Sequence, residues 1–197
     1  MPTADGRAPQ ALLAGFWEYA RIVLAPPRLE RLQEACRGAG PGVVPGRLPA
    51  AGVSPEAFCA VIRSAAHSEG KHFVRRAGFY TGSSVARAYV QAAAHPAASA
   101  GRLAQAMSGA VPGSVLSGHA TESGTFEVRV ESARPLDPSF VEYAAGFAKG
   151  AGVRLNEGAP PGFRTRLEGG GRAWTGTVDF AASKPAPATG ARRTRRR

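Results

Sequence analysis

At Pro112-Gly113 the spacing of apolar residues changes from a helical to an alternating period, which divides the chain into a helical first part and a strand-rich second part. Upstream, Leu12, Leu13, Phe16, Trp17, Ala20, Val23 and Leu24 recur at helical spacing and predict an amphipathic helix over 10–24. Pro26-Pro27 stops it, and Leu29, Leu32 and Cys36 mark a second helix ending near Gly38. Gly38 to Val53 is rich in Gly, Pro and Ala with no period and reads as a long connection. Ser54-Pro55-Glu56 then supplies an N-cap, a first-turn proline and an acid at the positive helix end. Phe58, Val61, Ile62 and Ala65 give that helix its buried stripe as far as about Glu69, with continuation past Gly70 left open. Further helices are expected from Ser83 or Ser84 to before Pro96, with Val85, Ala88, Tyr89 and Ala92 facing inward, and from Ser99 to about Ala110.

Downstream, Phe126, Val128 and Val130 alternate with Glu127, Arg129 and Glu131, which predicts a strand with one buried face and Val115 to Thr121 as its weaker partner. Pro138 opens a helix whose Phe140, Ala144, Phe147, Ala148 and Ala151 share one stripe. A short strand around Val153 to Asn156, a loop and a closing hairpin follow. The hairpin alternates Phe163, Thr165, Leu167 and then Trp174, Val178, Phe180 about a Gly169-Gly170-Gly171 turn. The expected fold is α+β, with N-terminal helices followed by a mostly antiparallel sheet in β-β-α-β-β-β order. Residues 1–9 are expected to be a flexible N-terminus, 10–180 a single α+β domain, and 181–197 a disordered basic tail.

A chain of 197 residues accommodates one well-formed core. Its net charge of +11 is unevenly distributed: Lys184, Arg192, Arg193, Arg195, Arg196 and Arg197 lie beyond Phe180 with no acid among them. Residues 1–180 therefore carry nineteen positive against fourteen negative charges, a net of +5. Lysine occurs only at 71, 149 and 184, and the Arg, Ala, Gly and Pro excess matches the codon bias of a GC-rich genome. Arg192, Arg193, Arg195, Arg196 and Arg197 could contact the phosphates of a nucleic acid or an acidic membrane surface. No aromatic residue or reading helix accompanies them, so non-specific attraction or solubilisation is the expectation. No window reaches the roughly 18 uninterrupted apolar residues of a membrane span, and the N-terminus lacks the pattern of a secretory signal. A cytoplasmic location is expected, with Cys36 and Cys59 as buried free thiols and a disulfide between them as the alternative.

The four histidines, at 67, 72, 95 and 119, do not form a ligand set. His67 and His72 are five apart, about 140° around a helix, whereas a shared metal wants about the 40° of an i, i+4 pair. The chain contains no nucleophile elbow, Walker lysine, dinucleotide glycine fingerprint or zincin motif. No catalytic residue and no metal site are nominated, and the chain is not expected to be an enzyme. The segment with most chemical character runs from Arg75-Arg76 through Gly78, Tyr80 and Gly82 to Ser83-Ser84, followed by Arg87. Read as a glycine loop before a helix N-terminus, it offers Arg75, Arg76, Tyr80, Ser83 and Arg87 to an anionic ligand. The plainer alternative is a connection with Ser83 as N-cap. Tyr80, Tyr89, Phe147 and Trp174 either line an apolar pocket or are core.

The α-rich first part, the hairpin, the helix with Phe-x6-Phe-x-x-Gly from Phe140 to Gly150 and the final aromatic strand together resemble the four-vinyl-reductase-type domain. That domain shares its fold with haem-nitric-oxide-binding domains and vesicle-tethering TRAPP subunits; the local likeness is strongest over 141–155. The pattern is also similar to an uncharacterised bacterial family of about this length. The resemblance covers roughly residues 54–180 and implies small-molecule sensing or protein interaction. Zinc-containing members use Cys-rich ligation near the last strands, where residues 150–180 here hold no Cys or His. Haem-binding members use an axial His and a Tyr-x-Ser-x-Arg motif, and the text from Tyr80 to Arg87 lacks that spacing. No cofactor is therefore expected. The expected function is a non-enzymatic small-molecule-sensing or protein-interaction module, its partner an unknown small molecule or protein; a homodimer is compatible with the sequence. The alternative is a nucleic-acid-associated protein acting through the arginine tail.

Overall fold

Capping and proline placement set the helix starts. In the computed structural model, which describes residues 10–46, 48–50, 52–90, 114–120, 125–155 and 162–179, α1 spans Gln10–Val23, α2 Pro26–Arg37 and α3 Pro55–Glu69. For residues 89–90, 114–120 and 125–126 only the backbone is described. The Ala57 amide donates to Ser54 Oγ at 3.1 Å, so the N-cap of α3 stands where the sequence puts it. The stripes of α1 and α3 are buried as expected, except that Val23 is exposed and Leu24, just past the helix end, is buried.

The next helix departs from expectation. Instead of a glycine loop and a new start at Ser83 or Ser84, α4 runs unbroken over Lys71–Val90. Its phase carries over from residue 71, so Ala86 is buried and Ala88, expected inside, is exposed. Helix α5 spans Pro138–Leu155 and passes straight through Gly152, so the short strand expected from Val153 is helix through Leu155. The unbroken course of α4 has a clear cause. A Cβ at Gly78 or Gly82 would collide with the carbonyl oxygens of Tyr143 or Phe147, and one at Gly146 or Gly150 with those of Arg75 or Phe79. Each helix thus presents a pair of glycines four residues apart, on one face, to the backbone of the other. A mid-helix glycine costs about 0.5–1 kcal/mol relative to alanine, and the close approach these four allow offsets that cost. They are contact residues, not breakers.

The four strands, β1 Ser114–Ala120, β2 Thr125–Ser132, β3 Gly162–Glu168 and β4 Ala173–Asp179, form one antiparallel sheet in the order β1-β2-β4-β3. The order along the described chain after α4 is therefore β-β-α-β-β. Gly169, Gly170 and Gly171 have φ of 60°, 66° and 86°, conformations that favour glycine and let the β3–β4 hairpin close. Val128, Val130, Trp174 and Val178 are buried on the inner face, while Arg129, Glu131 and Thr175 lie on the outer one. The outer face is polar but not basic: Arg129 pairs with Glu131, Arg164 with Asp179 and Arg166 with Glu168. Leu167, on edge strand β3, is 55% exposed, unlike its register partner Trp174.

Tyr143 ties the helices together. Its ring meets Phe58 edge-on at 5.4 Å, and its hydroxyl donates to the Leu12 carbonyl at 3.2 Å and lies beside Thr81. Thr81, fully buried, gives its own proton to the Ala77 carbonyl at 2.8 Å. Gly15 of α1 makes room for it, since a Cβ there would lie 2.8 Å from Thr81 Cγ2. No helix among the described residues is long and apolar enough to cross a membrane.

Candidate functional site

A cleft of about 630 Å³ opens between the first half of α3 and the connection from β2 to α5. On the helical wall stand Glu56, Ala57, Cys59 and Arg63; on the opposite wall stand Ser132, Arg134, Leu136, Asp137 and Phe140. The second wall is held in shape by the sheet, because the Ser132 amide donates to the Arg172 carbonyl at 2.9 Å and the Leu136 amide to Gly171 at 2.8 Å. The glycine turn of the last hairpin therefore anchors the cleft.

Asp137 joins the walls. Its Oδ2 accepts from Arg63 Nε at 2.7 Å, and its Oδ1 accepts from the Ser139 amide at 2.8 Å, capping α5 ahead of Pro138. Burial by itself would raise this carboxyl, but the bonds from Arg63 and Ser139 outweigh burial and hold it below the usual carboxylate range. Cys59 is pushed up to about 11, first by burial and then by Asp137 and Glu56, with Arg63 acting against them. It is a protonated thiol at neutral pH, not a nucleophile. Glu56 and Arg134 make no ion pair among the described residues.

The residues nominated from sequence lie elsewhere. Arg76, Tyr80, Ser83 and Arg87 stand at offsets of four, seven and eleven residues, which align them along one face of α4. Arg75 points the other way, toward Glu142 of α5 at 3.8 Å. Burial and then Glu18 of α1 push the Tyr80 hydroxyl up, with Ser84 acting against them, and its ring packs on Tyr19 at 5.9 Å. The free amides of a helix start, which the loop reading needed, are absent because residues 82–84 are helix interior. Phe147 and Trp174 are core, and Trp174 folds over Gly176. The side chain of Tyr89 and the tail arginines 192, 193, 195, 196 and 197 lie outside the described residues, as do His95 and the helix expected from Ser99. No metal-holding group of three or more His, Cys, Asp or Glu occurs among the described residues.

The cleft residues were missed because they come from distant stretches. One signal was available: Val130-Glu131-Ser132-Ala133-Arg134 keeps the serine and arginine spacing of the Tyr-x-Ser-x-Arg motif, with valine in the tyrosine place.

No protein-family model and no curated protein sequence matches the chain. Its fold is nonetheless that of solved H-NOX proteins. A Tt H-NOX double variant superposes with a TM-score of 0.57 at 10% identity, covering 92% of this chain and 100% of that one. An H-NOX variant from K. algicida in the unliganded Fe(II) state gives 0.56 at 6% identity, covering 87% and 95%. One from S. oneidensis in the Fe(II) state gives 0.56 at 9% identity, covering 89% and 97%. The chain shares the H-NOX fold, an α+β architecture over nearly its whole length.

Proposed function

We propose that this chain is a non-enzymatic small-molecule-sensing module whose ligand occupies the cleft between α3 and the β2–α5 connection. The observation that carries the reading is the double engagement of Asp137, which pairs with Arg63 on the helical wall while capping α5 on the other. A molecule entering the cleft touches both walls at once, and only such differential contact can shift a conformational equilibrium. The chemistry of the lining favours binding over catalysis, since Cys59 is protonated and Asp137 is committed to Arg63 and Ser139.

Similar solved structures are described in Fe(II) states, and one concerns haem distortion in the H-NOX family. The described residues here do not fit a haem. His67 and His72 are exposed on α3 and α4, the described cleft lining contains no imidazole, and α4 meets α5 backbone to backbone. Val130, buried on the sheet, offers no hydroxyl where the family motif has one. Among the described residues the cleft thus offers a haem no axial imidazole, and the ligand proposed for it is of another class.

Native mass spectrometry of the purified full chain tests the reading. A copurifying small-molecule mass, lost in an Ala60→Trp variant that fills the cleft but keeps its circular dichroism, is the expected result. An adduct that persists in Ala60→Trp would remove the cleft from consideration, and no adduct in any preparation would count against the sensing role.

A further inference from the structure

We infer that the cleft takes a small zwitterion of the amino-acid class, with its carboxylate on Arg134 and its ammonium on Glu56. The inference rests on the ligand-sensing reading of this same cleft and adds the ligand's chemistry. Four charged side chains line the cleft, and two of them, Arg63 and Asp137, neutralise each other at 2.7 Å. The remaining two face across it: Glu56 on the first turn of α3 and Arg134 on the β2–α5 connection, neither paired among the described residues. A plain anion would meet Arg134 but also the carboxylates of Glu56 and Asp137. A plain cation would meet Glu56 but also both guanidinium groups. Only a molecule carrying both charges leaves every charged lining group with a partner of opposite sign.

The walls between these two groups suit an aliphatic body. Ala57, Leu136 and Phe140 are buried apolar residues of the lining, and the volume of about 630 Å³ exceeds one such molecule with water to spare. A guanidinium with its fork unoccupied can receive a carboxylate through two parallel bonds, which a neutral ester cannot match. Because Glu56 and Arg134 are both exposed, each contact alone is weak and the two together give selectivity more than affinity.

The test is an amide-shift NMR titration of the full chain with three probes of one shape: leucine, isocaproate, which lacks the ammonium, and leucine methyl ester, which lacks the carboxylate charge. Leucine is expected to shift the amides of Ala57, Ala60 and Leu136 and to bind at least about tenfold more tightly than either analogue. Arg134→Gln should bring leucine down to its ester, and Glu56→Gln should bring leucine down to isocaproate. Both side chains are exposed, so neither change should disturb folding. Equal affinity for leucine and isocaproate in the unmodified chain would overturn the zwitterion, as would no cleft shift with any probe. Neither result touches the sensing reading, which stands or falls on the copurifying adduct and on Ala60→Trp.

Discussion

Gly78 of α4 lies so close to the main-chain carbonyl of Tyr143 on α5 that no methyl group fits between them. Gly146 stands in the same relation to the carbonyl of Arg75, so the crossing is reciprocal. A side chain on either helix would have to displace backbone, which cannot turn aside as a flexible side chain can.

Gly78→Ala and Gly146→Ala are each expected to lower unfolding free energy by about 2 kcal/mol through overpacking, measured by urea denaturation. Gly38→Ala is the control. Gly38 has φ −69° and ψ −12°, with nothing within 4 Å of an added Cβ. There alanine should raise stability by about 0.4–1 kcal/mol by restricting the unfolded chain. Equal effects at positions 38 and 78 would mean that the helices do not meet at Gly78.

The elements that were legible in the sequence have local causes. Ser54-Pro55-Glu56 started α3 because a cap needs only its own neighbours, and the alternation at Val128 and Val130 set the buried face of β2 because strand burial repeats every second residue. Gly78 and Gly82 misled because glycine has two meanings, chain break and close approach, and only the partner helix decides between them. The cleft was illegible for the same reason. Arg63 and Asp137 are 74 residues apart, and nothing local marks either one.

Tyr143→Phe is expected to cost about 1 kcal/mol, because the hydroxyl bond to the Leu12 carbonyl disappears while the ring contact with Phe58 remains. Denaturation of Tyr143→Phe beside Tyr143→Leu separates the two contributions, and leucine should cost distinctly more. A phenylalanine variant as unstable as the leucine one would assign the main role to the hydroxyl.

The two thiols should differ in reactivity. Burial pushes Cys36 up to about 12, whereas Cys59 reaches about 11 and is only partly buried. Ellman's reagent at about pH 8 should label Cys59 slowly and Cys36 more slowly still, since the thiolate is the attacking species. Raising the pH should accelerate Cys59 first, and guanidinium chloride should release both at once. Faster labelling of Cys36 would contradict the packing of α2 against α3.

Asp137 makes an acid-side prediction whose sign follows from its partners. Its folded pKa lies below the ordinary 3.8, so the carboxylate stabilises the fold fully well above that value, and the contribution fades as pH falls through the depressed folded value. Asparagine can still cap α5, so Asp137→Asn removes the charge and keeps the cap. At neutral pH this variant should lose about 0.5 kcal/mol, since Arg63 is 65% exposed and solvent screens the pair. Asp137→Ala loses the cap as well and should cost about 1 kcal/mol more. Stability measured by urea denaturation from neutral to strongly acid pH should bring the native and Asp137→Asn curves together at the acid end, with Asp137→Ala staying below both. A gap between native and Asp137→Asn that does not change with pH would mean that charge is not what Asp137 contributes, and with that the ion pair across the cleft would lose its role as the link between the two walls.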